Sequence, residues 1–281
     1  MENEYGTGAH ESPRDIRTFA YMPSGVVGKV GLRYNPEDIE HQHKVGICTA
    51  ISHVQQAQKV HGRKFSPEFQ YLLQKKYLDG NWDEGSSIIN SIKVGNTYGF
   101  LPAEEWTYTH ESDRLRPYSV YAAMLQAIPD SEIQRLISLA APFKTQGYEK
   151  VPVDILSMSQ AISESEAGIL TRVVLDSQWW TPPIEPLRAP ITPISGHAVI
   201  DSNGDNGSFR KANTWGKDWA DNGTAYYLFK DYQPTEAWLV HYLAAPDHVQ
   251  KQLDQRTQLQ GKLLNTLQLL VVALQKLKLM K

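Results

Sequence analysis

A chain of 281 residues, 41% hydrophobic and 10% aromatic, can bury one large core or two modest ones. Its formal net charge of −3 gives no electrostatic case for a nucleic-acid partner. A single cysteine excludes an internal disulfide and is a poor start for a metal site, and the lack of bridges suits a reducing compartment.

Residues 1–30 are rich in Gly, Pro and charge and have no sustained periodicity, so they read as an extended arm around Pro13 to Phe19. Met1 to Gly6 is acidic and polar, without an apolar stretch of signal-peptide type, and classical secretion is not expected. From Gly46 onward, Ala50, Ile51, Val54, Ala57 and Val60 recur at helical spacing, which places Cys48 in a first helical turn. Ser66-Pro67-Glu68 is a helix start, with serine as cap and proline in the first position, and that helix should carry Phe69, Leu72, Leu73 and Tyr77 inward. Further helices are expected from Gly85 through Ile88, Ile89, Ile92 and Val94, over Tyr118 to Ala127, and over Glu132 to Leu139.

After about residue 145 the texture changes. Tyr148 to Val153, Ile169 to Leu175, His197 to Asp201, Ser208 to Thr214 and Thr224 to Tyr232 are short β-branched or aromatic runs broken by Gly, Pro and Asn. Asp201 to Gly207 has the look of a calcium loop but lacks its glycine and its bidentate glutamate, so a polar hairpin turn is expected there and no metal. The order predicted is an arm (1–30), a helical part (31–145), a strand-rich part (146–248) and a leucine-rich C-terminal helix (249–281), an α+β fold with segregated halves. In that last helix Leu263, Leu267, Leu270, Leu274 and Leu277 follow a 4-3-4-3 spacing, and such a stripe needs a partner. Docking on the body of the protein, self-association or a docking partner through residues 262–281, and a membrane surface met by Lys262, Lys276, Lys278 and Lys281 all stay open. The longest uninterrupted apolar run there, Leu269 to Leu274, is too short to span a bilayer.

The chemistry-bearing residues fall in three separated blocks. Cys48 lies in Gln42-His43-Lys44-Val45-Gly46-Ile47-Cys48; far downstream come Gly196-His197-Ala198-Val199 and Asn213-Thr214-Trp215-Gly216. Taken singly, Cys48 reads as a packed core thiol, His197 as a half-buried strand histidine, Asn213 as a turn residue and Gln42 as a surface amide. Their joint order and spacing point instead to a thiol nucleophile, its base and the group that orients the base.

These blocks resemble the papain-like cysteine peptidases (clan CA, C1-type), in particular compact bacterial or phage members, over roughly Arg33 to Phe229. Phe65 to Tyr71, Asp79 to Ser87, Tyr98 to Leu101 and Glu105 to Tyr108 are similar to successive landmarks of that family's helical lobe. Val45 and Trp82 stand where secreted relatives have disulfide-bonded cysteines, and Thr49 replaces the usual tryptophan after the nucleophile. The resemblance implies a two-lobed fold, with Cys48 on a helical lobe and His197 and Asn213 on an antiparallel β-barrel-like lobe, and an extra C-terminal amphipathic helix that the family does not account for. The lack of bridges and of a signal-peptide stretch leads to the expectation of a cytoplasmic or virion-associated location, and no cofactor is expected.

The implied activity is cysteine endopeptidase, acting on a peptide or protein substrate. Cys48 would attack as a thiolate, favoured by the helix N-terminus and an adjacent imidazolium. His197 would protonate the leaving amine and then activate water, Asn213 would hold the ring, and Gln42 with the Cys48 N–H would form the oxyanion hole. Trp215 and Trp219 would shield the His197–Asn213 bond. Gly85 is expected to pair its backbone with an extended substrate, with Glu84, Gly196 and Trp215 as further substrate contacts. Two other readings stay open: an inert papain-fold binding or virion-type structural protein assembled through its C-terminal helix, and a transpeptidase or ligase using the same triad.

Overall fold

The computed structural model describes residues 5–13, 18–24, 32–180, 186–205 and 207–243. The leucine-rich helix expected over 249–281 lies outside them.

Helix α1 (Cys48–His61) is the central element, buried from Cys48 through Gln58 and stopped by Gly62, whose left-handed backbone (φ 63°) returns its N–H to Gln58 O. A helix buried all round must satisfy its polar side chains internally. Gln55 accepts from the Glu40 N–H and donates to Asn213 O, Gln56 donates to Gly168 O and accepts from the Tyr242 hydroxyl, and Ser52 lies within hydrogen-bond distance of the carbonyls of Cys48 and Ala198. These bonds tie the helical part to the strand-rich part.

Helix α2 (Pro67–Leu73) begins as its sequence predicts, with the Ser66 hydroxyl accepting the Phe69 N–H. It then runs into a π-helical turn, Gln74–Asp79. A π turn adds a residue to the cycle and rotates everything after it. Tyr77, expected inward, is therefore 37% exposed, and Lys75 is buried in its place. The short strand β3 (Ser86–Ser87) leads into α3 (Ile88–Thr97), followed by α4 (Tyr118–Gln126) and α5 (Asp130–Ala140). One cluster, including Ile51, Phe69, Leu72, Val94, Leu101, Tyr121, Leu125 and Leu136, forms the core of this part.

Of the arm, Ala9–His10 forms β1 and Phe19–Ala20 forms β2. Strands β4 (Thr145–Val151), β5 (Ile169–Leu175), β6 (Ser195–Asp205), β7 (Ser208–Ala212), β8 (Thr224–Leu228) and β9 (Glu236–Tyr242) join β2 in a seven-stranded sheet of order β2-β4-β9-β5-β6-β7-β8. All its pairings are antiparallel except β2 with β4. The β6–β7 hairpin occupies the stretch expected as a polar turn. Among the longer elements, β9 and helix α6 (Ile155–Glu164), capped by Asp154 and burying Met158, Ala161 and Ile162, are not expected from the sequence pattern. A second core cluster fills this part, with Trp179, Trp215, Trp219 and Tyr227 among its members. A third, with Cys48, Ile88, Ile89, Ile92, Leu170, Ala198, Ala212 and Trp238, lies where α1 and α3 meet the sheet.

Candidate active site

Cys48 is the first residue of α1 and fully buried. His197 comes from β6, and Asn213 is the residue that follows the neighbouring strand β7. His197 Nε2 lies 2.7 Å from Asn213 Oδ1. The Thr214 backbone N–H points at the same Asn213 atom, at 2.8 Å. An amide N–H donor can only meet an oxygen there, so that atom is the acceptor and Nε2 must carry the proton. The tautomer leaves Nδ1 as a lone pair, and Nδ1 is buried with no hydrogen-bond partner among the described residues. Above the ring Trp215 stacks at 4.7 Å between centroids, with the Trp179 edge at 6.3 Å.

Gln42 is fully buried beside these groups. Its Oε1 accepts from the Thr214 hydroxyl and its Nε2 donates to Val45 O at 2.9 Å, while its backbone N–H donates to Thr214 O. Thr214, which the sequence reading did not single out, thus fixes both the Asn213 oxygen and the Gln42 amide; its only sequence signal is adjacency to Asn213.

The resting electrostatics depart from expectation. Burial pushes the Cys48 thiol up to about 12, against backbone hydrogen bonds from Ala198, Thr49 and Cys48 itself, and Glu84 adds to the rise. Burial lowers His197 to about 4, against its bond to Asn213, and the Lys211 charge lowers it further. Burial thus drives both groups toward their neutral forms, because desolvation disfavours the charged member of each pair.

The arm is seated in the same place. Gly6 N–H donates to His43 O, Gly6 O accepts from the Trp215 indole, Gly8 N–H donates to Gly196 O, and Gly8 O accepts from the Ser86 N–H. β1 pairs in parallel with β3, and the Ala9 side chain is buried in the cluster that holds Cys48. The approach is so close that a Cβ on Gly46 would run into Thr7 O, one on Gly196 into Ala9 O, and one on Gly6 into Val45 O.

The expected substrate residues distribute as follows. Gly196 and Trp215 border the occupied groove. Glu84 accepts the Gly46 N–H at 2.6 Å and so braces the turn before Cys48; burial raises its carboxyl, against that bond. Gly85 does not turn its own peptide to the groove: its N–H donates to the Tyr71 hydroxyl and its C=O accepts from buried Lys75 Nζ at 2.9 Å. In an extended strand alternate residues face opposite ways, so Ser86 presents the pairing groups instead. No group of His, Cys, Asp and Glu among the described residues could hold a metal ion.

No protein-family model matches the chain, and no curated protein matches it. Solved structures do. The chain is similar to xylellain, a cysteine protease from Xylella fastidiosa, with a TM-score of 0.68 and 22% identity over 86% of this chain and 97% of that one. It is similar to procathepsin B S9 from Trypanosoma congolense, with a TM-score of 0.56 and 11% identity over 85% of this chain and 87% of that one. A third likeness is to the Carica candamarcensis cysteine protease CMS1MS2 in complex with E-64, with a TM-score of 0.51 and 15% identity over 72% of this chain and 92% of that one. The fold is that of the papain-like cysteine peptidases.

Proposed function

We propose, from that fold, that the chain is a cysteine endopeptidase whose resting form carries its own arm in the cleft. The observation that carries this is the His197–Asn213 bond at 2.7 Å, with the tautomer fixed by Thr214 so that Nδ1 is left to take a proton. With the groove open to water and substrate, Cys48 Sγ gives its proton to His197 Nδ1 and attacks the peptide carbonyl. The oxyanion meets the Cys48 N–H at the helix start and the second amide hydrogen of Gln42. His197 then protonates the leaving nitrogen, and the acyl-enzyme is released by water that His197 deprotonates.

The leaving amine must lie at His197 and hence beside Trp215, which covers it. The acyl part of a productive peptide therefore lies toward Ser86, and such a peptide runs from Ser86 to Trp215. The arm runs the other way, from Gly6 at Trp215 to Ala9 at Ser86. That reversed direction explains how an intact arm can reside against Cys48 without being a substrate for it.

The test is hydrolysis of internally quenched peptides, with products read by mass, for the wild-type chain, Gly6→Ala, and Gly6→Ala combined with Cys48→Ser or His197→Ala. Cleavage by Gly6→Ala that drops on the order of 10³-fold or more in either double variant is the expected result. Products joined to an added amine would instead identify acyl transfer. No cleavage by any variant would favour the inert papain-fold reading.

A further inference from the structure

The cleft beside His197 holds more aromatic surface than shielding one hydrogen bond requires. Trp215 covers the imidazole, and Trp180, which follows the short helical turn Ser177–Trp179, stands 5.2 Å from Trp215 at an interplanar angle of 37°. Into this corner the arm places Tyr5. Its ring stacks on Trp215 at 4.7 Å and 12°, lies 6.3 Å from Trp180 at 28°, and is 6.0 Å from His41. Tyr5 and Trp180 both pack against the cluster that contains Trp179, Trp215 and Trp219. His41 is held neutral, lowered to about 4 by burial and by His43. All three walls that face the Tyr5 ring are thus flat and uncharged, an arrangement that rewards a planar guest with offset stacking and excludes little else by charge.

We infer that this corner is an aromatic subsite that selects Tyr or Phe in the leaving part of the substrate, next to the scissile bond, with Trp180 as the specificity-determining residue and Tyr5 as its resident occupant. The inference rests on the peptidase reading for its placement on the leaving side. The walls belong to the chain's body and do not depend on which way the backbone runs, so a substrate ring enters the place that the Tyr5 ring vacates.

The experiment uses the full chain carrying Tyr5→Ala and Gly6→Ala, so that ring and arm both leave the cleft, and matched peptides with Tyr, Phe, Ala or Lys at the first leaving-side positions. The expected result is kcat/KM about tenfold higher for Tyr and Phe than for Ala or Lys. That ratio should fall toward unity with Trp180→Ala and return with Trp180→Phe. Equal cleavage of all four peptides, or a preference that survives Trp180→Ala, would overturn the subsite. Binding of the same peptides to a Cys48→Ala, Tyr5→Ala, Gly6→Ala chain, followed by calorimetry, separates the two levels. A Trp180-dependent aromatic preference in binding, with no cleavage by any chain, leaves the subsite standing and removes the peptidase reading. The absence of any preference in binding removes the subsite whatever the activity.

Discussion

At the scale of single residues, desolvation drives the proposed nucleophile and its proposed base toward their neutral forms. Cys48, pushed up to about 12, is a thiol at neutral pH, and His197, lowered to about 4, is a neutral imidazole. Alkylation of the wild-type chain by iodoacetamide should therefore keep rising with pH through the alkaline range, whereas Gly6→Ala, with water restored to the groove, should reach its plateau at a lower pH. A wild-type plateau at neutral pH would contradict this. Buried histidines also set an acid limit on stability: His41 and His197 are lowered to about 4 and His53 to about 3. Each is neutral when folded and takes up a proton near 6.5 when unfolded, so its contribution is fully present above pH 6.5 and lost as pH falls toward the folded value. The denaturation midpoint should fall between about pH 7.5 and about pH 5, and less in His53→Leu, which removes a ring whose Nε2 has no partner among the described residues. The spacing of Cys48, His197, Asn213 and Gln42 is readable in sequence because side-chain chemistry leaves one, and the structure brings His197, Asn213 and Gln42 together around Thr214. Ser86 is not readable in this way, since it acts through backbone groups that every residue has.

Among the elements, the arm and the π turn carry the information that pattern reading could not reach. The arm has no periodicity because, the Tyr5 ring apart, it is held near Cys48 by backbone groups and small residues at Gly6, Gly8 and Ala9, packed where a Cβ does not fit. Gly6→Ala should thus expel it and raise peptidase activity above wild type, measured on one quenched peptide; an unchanged rate would mean that the arm does not restrain the site. The π turn Gln74–Asp79 defeats a 3.6-residue count, which puts Tyr77 inward where the structure buries Lys75. Where local chemistry governed, the sequence sufficed: Ser66 caps α2 as expected, and Ser66→Ala should cost about 1 kcal/mol in chemical denaturation. Helix α6 was missed because it is a short helical stretch inside a strand-rich region, although Asp154 and the apolar spacing of Met158, Ala161 and Ile162 did announce it.

For the whole molecule, the switch from helical to strand texture near residue 145 was enough to give an α+β fold, but sheet order was beyond it. Strand β9 lies between β4 and β5, far from both in sequence, and no local pattern encodes that insertion. Nor did the pattern reveal the charges buried in the strand-rich core: Lys211 Nζ lies 2.8 Å from Asp201 with both side chains fully buried, under the Tyr227 hydroxyl that also bonds Asp201. Lys211→Met strands the Asp201 charge and should cost about 3–5 kcal/mol, while the double change Lys211→Met, Asp201→Leu should recover most of it. A double variant no more stable than the single one would refute that assignment. The measurement that bears most directly on the central claim is the rate at which a peptidyl epoxysuccinate modifies Cys48, read by intact mass in the wild-type, Gly6→Ala, and Gly6→Ala, His197→Ala chains. A restrained but competent site predicts slow single-site labelling of wild type, labelling about tenfold or more faster in Gly6→Ala, and collapse when His197 is removed. Labelling that ignores both changes, or that never reaches the folded chain, would contradict it.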